Sequence, residues 1–187
     1  MPLELYARTR KDFRAKVIAH KKNRTVALGS DVTLIFEDEL TIRYQIQEML
    51  RIEKTFEEDG IEGELSAYNP LVPTGTNWKA TMLLEYPEVD ERRVMLATLM
   101  GIENRVWVRV EGFDKVYAIA DEDLDRSNDE KTSSVHFLRF ELSGDMRAML
   151  RAGGGLAMGI NHPNYSVTVG ITDPEKKASL VRDFQAH

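Results

Sequence analysis

The stretch SVHFLRFELSGDMRAMLRAGG, residues 134–154, decides the fold class. Its first part alternates, so that His136, Leu138, Phe140 and Leu142 share one strand face while Arg139 and Glu141 oppose them. Its second part changes period. Ser143 is an N-cap residue type and Gly153-Gly154 a stop, which predicts a helix between them. GLAMGIN and YSVTVGI follow as two strands joined through His162-Pro163-Asn164. The same order occurs upstream. WKATMLLEY (78–86) reads as a strand, and PEVDERRVMLATLMG (87–101) as a helix opened by Pro and closed by Gly. NRVWVRVE (104–111) and KVYAIAD (115–121) then read as strands. Two strand-helix-strand-strand units predict an α+β fold built mainly on one antiparallel sheet, with helices packed on one face.

The N-terminal part has a different texture. Residues 1–24 form a basic helix with Leu5, Phe13 and Val17 directed inward, followed by the strands TVALG and DVTLIFE joined at Gly29-Ser30-Asp31. DELTIRYQIQEMLRIEKTFEE (38–58) contains no Gly or Pro and places Ile42, Ile46, Met49, Leu50 and Phe56 at helical spacing. Its other face carries Arg43, Gln47 and Arg51 as one stripe. Gly60, Gly63, Asn69-Pro70 and Pro73-Thr74-Gly75 then predict short turns and a loop. The expected organisation is a helix, hairpin and long-helix lobe over 1–75 and a sheet with helices over 76–187, integrated into one domain.

Composition excludes several chemistries. The 187 residues contain no cysteine, so disulfides, thiolate nucleophiles, and Cys-held zinc or iron–sulfur clusters cannot form within the chain. His20, His136, His162 and His187 are too far apart for a helical His pair or a Glu-x-x-His di-iron pair. No bound metal or cofactor is expected. With no long apolar run and no signal-like start, the chain is expected to be cytoplasmic and not to associate with membranes. The net charge of −6 is uneven: residues 1–24 sum to +6, leaving −12 for the rest. A basic arm on an acidic body is more readily a solvated helix face than a nucleic-acid site, so nucleic acid is not an expected partner.

Three features carry candidate chemistry. The segment DEDLDRSNDEKT (121–132) opens with Asp121, Asp123 and Asp125 like an EF-hand loop. The required Gly and Glu positions hold Arg126 and Thr132, and both flanks read as strands. What remains is an acidic connector suited to a basic partner. On NRVWVRVE, Arg105, Trp107 and Arg109 oppose the valines. If this strand neighboured HFLRFEL, they would form a partner-binding face, since Trp and Arg make interface hot spots. Finally, a pocket between the helical lobe and the sheet would use Arg43, Gln47 and Arg51 to hold an anionic substrate, with His136 as acid or base. His162, in a turn, is expected to be exposed. RAGGGLAMG lies between helix and strand, the reverse of a phosphate-loop arrangement, and reads as a helix stop.

TIRYQIQEMLRIE (41–53), YNPLVP (68–73), IADEDLDRSNDEKTSSVHFLRFEL (119–142) and MGINHPNYS (158–166) together resemble an uncharacterised bacterial family of domains of unknown function (DUF 3501-like). The resemblance covers nearly the whole chain. It implies no catalytic residues, but members are commonly encoded beside rubrerythrin-like and iron–sulfur proteins. It therefore implies a non-catalytic accessory or interaction role in an oxidative-stress or redox module, with the metal carried by the partner. The alternative is the small-ligand enzyme just described.

Overall fold

The computed structural model describes residues 1–122 and 130–184. Its elements run α1 (Leu3–Lys22), β1 (Thr25–Ala27), β2 (Val32–Glu37), α2 (Glu39–Glu53), α3 (Glu58–Tyr68), β3 (Asn77–Leu84) and α4 (Val89–Thr98). There follow β4 (Val106–Val110), β5 (Val116–Tyr117), β6 (Ile119–Ala120), β7 (Val135–Glu141), α5 (Gly144–Arg151), β8 (Leu156–His162), β9 (Tyr165–Gly170) and α6 (Pro174–Val181). The α+β class and the antiparallel pairing are as the sequence predicts.

The strands form two sheets rather than one, ordered β1-β2-β3-β7-β6 and β5-β4-β8-β9. Each repeated unit is divided between them. The first strands of the two units pair with each other, Asn77 opposite Glu141 and Met82 opposite His136. The second strands do the same in the other sheet, Val106 opposite Ile160 and Val110 opposite Leu156. KVYAIAD crosses between the sheets: Tyr117 pairs with Trp107 on β4, and Ala120 with Leu138 on β7. Both inner faces then feed one core. Val32, Leu34, Phe36, Trp78, Met82 and Phe140 from the first sheet join Val106, Val108, Met158 and Ile160 from the second.

Because β4 and β7 lie in different sheets, the arginine–tryptophan face expected from their adjacency does not assemble. Trp107 itself is 1% exposed. It lies over Gly159, where a Cβ would come within 2.5 Å of its ring, and the Lys115 ammonium sits 4.4 Å from the ring centroid. A glycine on the neighbouring strand makes room for the ring to lie flat. Arg105 and Arg109 remain exposed.

The helical lobe has its own small core, Ile42, Ile46 and Leu50 of α2 against Leu3, Ile61, Leu71 and Val72. The single long helix expected from 38 to 58 ends at Glu53, where Lys54 turns left-handed (φ 53°). Phe56 beyond it is 69% exposed instead of inward. The chain re-enters a helix straight through Gly60 and Gly63, where turns were expected. A Cβ at Gly60 would meet the Thr55 methyl at 2.4 Å, so the glycine permits the tight approach after the break. On α1, Tyr6 and Val17 are buried, whereas Leu5 faces outward.

A candidate ligand cleft beside a buried arginine

Arg24 is the organising residue of the candidate site. It follows α1 directly and is 1% exposed. Its Nε donates to the Phe36 carbonyl at 2.8 Å and Nη1 to the Ser179 carbonyl at 3.0 Å. Nη2 donates to the Glu37 carbonyl and to Asp183 Oδ2, the latter at 2.6 Å. One guanidinium thus ties the first hairpin to the C-terminal helix. Five fixed donors make arginine suited to such a junction.

Asp38 stands next to it as the N-cap of α2. Its Oδ1 accepts from the Thr41 backbone N–H at 3.0 Å, and the Thr41 hydroxyl accepts from the Asp38 N–H in return, a capping box. Asp38 Oδ2 lies 2.5 Å from His20 Nε2 and 3.4 Å from Arg24 Nε. Burial alone would raise the Asp38 carboxyl, but Arg24, the Thr41 N–H and His20 together hold it below its ordinary value. Asp183 goes the other way. Burial pushes it up to about 6, more than Arg24 can offset, and the charge of Asp38 adds to the rise.

These residues wall an open cavity of about 540 Å³ bounded by α1, α2 and α6, with Lys16, Arg43, Ser179 and Arg182 also lining it. Its volume is within the range of small-molecule sites. Glu39 is paired with Arg43, and Asp38 and Asp183 are engaged by Arg24 and His20. Lys16 and Arg182 make no ion pair with described residues. The buried Ser179 hydroxyl has no hydrogen-bond partner among the described residues. The cleft therefore keeps an excess of positive charge, and Ser179 Oγ lies beneath its surface.

The expected stripe divides here. Arg43 lines this cleft and an adjoining cavity of about 250 Å³. Gln47 is buried in the wall of that smaller cavity, its amide donating to the Met1 carbonyl at 2.8 Å and its Oε1 without a partner among the described residues. Arg51 is paired with Glu48 and lines a different cavity, against Pro2, Leu3 and Phe56. The three do not converge.

His136 does not line the cleft. It is fully buried, with Nδ1 2.5 Å from Asp121 Oδ2 and Nε2 2.8 Å from the Thr132 hydroxyl and 3.0 Å from the Ser133 carbonyl. Glu103 approaches to 3.9 Å. This network anchors both ends of the acidic connector to β7. Asp121 is accordingly directed inward, and Asp123 and Asp125 lie outside the described residues, as does His187. His162, expected to be exposed, is 7% exposed: Nε2 meets the Met100 carbonyl at 3.0 Å and Nδ1 accepts from the Asn164 N–H. Gly153 (φ 93°) is the helix stop that the glycine run predicts.

Arg24, Asp38, Asp183 and His20 were not selected by sequence reasoning. Only the Asp38-x-x-Thr41 capping signature was available to flag one of them, and it marks a helix start, not a site.

Comparison with known proteins places the chain. The family model described as "Protein of unknown function (DUF3501)" matches residues 1–184. The chain belongs to this family. A crystal structure of a novel protein of unknown function from Burkholderia pseudomallei K96243 is similar at 55% identity, with a TM-score of 0.94 over 99% of this chain and 96% of that one. No curated protein matches. No described helix of this DUF3501 member is long and apolar enough to cross a membrane.

Proposed function

We propose that this DUF3501 protein binds a small anionic molecule in the cleft between α1, α2 and α6. The observation that carries the reading is the cavity of about 540 Å³ around Arg24, whose wall keeps Lys16 and Arg182 without ion pairs among the described residues. His20, held through Nε2 by Asp38, is the group placed to exchange a proton with that ligand. Arg43 takes the anion-contacting role, Gln47 shapes the adjoining cavity, and Arg51 has no part. The test is thermal unfolding with inorganic phosphate or succinate against chloride at equal ionic strength. A ligand at a hundred times its Kd stabilises by about 2.7 kcal/mol, and the shift should vanish in a Lys16→Ala/Arg182→Ala chain. No shift with either anion sinks the reading.

A second reading is an accessory role beside an iron–sulfur or rubrerythrin-like protein in an oxidative-stress module. It rests on what the family resemblance implies and on the exposed acids Glu57, Glu58, Asp59 and Glu62 around the start of α3. These offer a basic partner what Asp121, turned inward, does not. Mixing the purified pair at low salt tests it, and absence of association counts against it.

A further inference from the structure

A second cavity, of about 220 Å³, lies under α3 on the outer face of the β1-β2-β3-β7-β6 sheet. Ser66, Ala67, Pro70 and Leu71 roof it, and Lys79, Phe137 and Arg139 rise from its floor. Lys79 and Arg139 are register partners on β3 and β7, and Glu37 is the partner of Lys79 on the other side. Directly opposed side chains in such pairs have Cβ atoms about 5 Å apart.

The described carboxylates around Lys79 are committed elsewhere. Glu122 binds Arg139 with both oxygens at 2.8 Å, and Glu141 takes Arg139 Nη1 at 2.6 Å and the Asn77 amide at 2.8 Å. Glu37 accepts from the Thr41 and Thr81 hydroxyls. Lys79 makes no hydrogen bond or ion pair with the described residues, although it is half-buried. A half-buried ammonium in this position loses part of its hydration with no described partner to offset the loss.

We propose that Lys79 is a carbonyl-capturing amine, forming a reversible imine with a short oxo acid whose carboxylate sits on Arg139. The lone pair of the neutral amine adds to the carbonyl carbon as the π pair moves to oxygen. Both amine hydrogens then leave with that oxygen as water when the C=N bond forms. No oxidant or reductant is required. Burial holds the Lys79 ammonium below its ordinary value, and Arg139 adds to this while Glu122 and Glu141 oppose it, so the nucleophilic form is more available than on a surface lysine. Arg139 spends three of its five hydrogens on Glu122 and Glu141, which leaves one on each terminal nitrogen for a carboxylate. The cavity has the volume of about seven waters, enough for a molecule of a few carbons. This site is separate from the cleft around Arg24 and does not depend on it.

The experiment treats the whole chain with pyruvate and cyanoborohydride at neutral pH and maps the reduced adducts by peptide mass. Propionaldehyde serves as the uncharged comparison. Lys79 should be modified about tenfold faster than exposed Lys11, Lys22 and Lys54, the advantage expected of a desolvated amine. Arg139→Gln should lower the ratio of pyruvate to propionaldehyde labelling at Lys79. Labelling of Lys79 no faster than at the three surface lysines overturns the proposal. A ratio unchanged in the Arg139 variant overturns the oxo-acid assignment.

Discussion

Replacing Asp183 by Asn should flatten a specific part of the pH–stability curve. The Asp183 carboxyl is ordinarily half-ionised at 3.8 and in the fold at about 6, because burial disfavours its charge. The folded chain therefore holds this proton more tightly than the unfolded chain, and stability falls as pH rises from 3.8 to 6 and is level above that. At about 1.4 kcal/mol per tenfold change in proton affinity, the ionised group costs the fold about 3 kcal/mol at neutral pH. Most of that penalty is relieved only in acid. Lowering the pH from about 7.5 to about 5 should recover about 1 kcal/mol in the parent chain, and none of it in Asp183→Asn. The window matters, because Glu48 and Glu122, held below their ordinary values, stay ionised throughout it. Arg24, Asp38 and His20, which face Asp183, are present in both chains, and the difference between the two curves isolates Asp183. Urea unfolding at five pH values measures it. Parallel curves for the two chains would refute the reasoning, since they would show that Arg24 fully compensates the buried carboxylate.

Other perturbations follow from neighbouring geometry. Arg24→Met removes the donor shared by the Phe36, Glu37 and Ser179 carbonyls and strands Asp183; breaking a buried pair from one side should cost about 3–5 kcal/mol in urea unfolding. Gly159→Ala puts a Cβ 2.3 Å from the Val167 carbonyl and 2.5 Å from the Trp107 ring; a loss of about 1–3 kcal/mol with altered tryptophan fluorescence is expected of such overpacking. Glu48, held at about 2 chiefly by Arg10 with help from Tyr6 and Arg51, stabilises the α1–α2 contact above its ordinary 4.5. Its advantage over Glu48→Gln should shrink as pH falls from 4.5 towards 2, as followed by circular dichroism.

The repeated units were legible because their signals are local: alternation in β3 and β7, Ser143 at one helix start, Gly153 at its end. The distribution over two sheets was not, because it depends on which strand pairs with which, and KVYAIAD looks like one strand while serving both sheets. Trp107 shows why a strand face cannot be assigned from alternation alone. It stands opposite the valines as expected, yet Gly159 beside it lets the ring lie flat and be covered. Of the candidate cleft, only the position of Arg43 on its wall follows from the α2 stripe. The pocket was expected between the helical lobe and the sheet, whereas the cavity lies among α1, α2 and α6, and Arg24 and Asp183, 159 residues apart, meet only through tertiary folding. His136 shows the reverse: its apolar face is real, and the fold uses it to bind the connector, not to open a pocket.

The like-with-like pairing of the two units bears on how the domain comes apart. Each unit contributes one central strand to each sheet, β3 and β4 from the first and β7 and β8 from the second. The likeness stops at those pairs, because β6 of the first unit crosses to β7 while β9 stays on β8. Neither half can leave without opening an edge in both sheets at once, so the two should unfold as one cooperative unit.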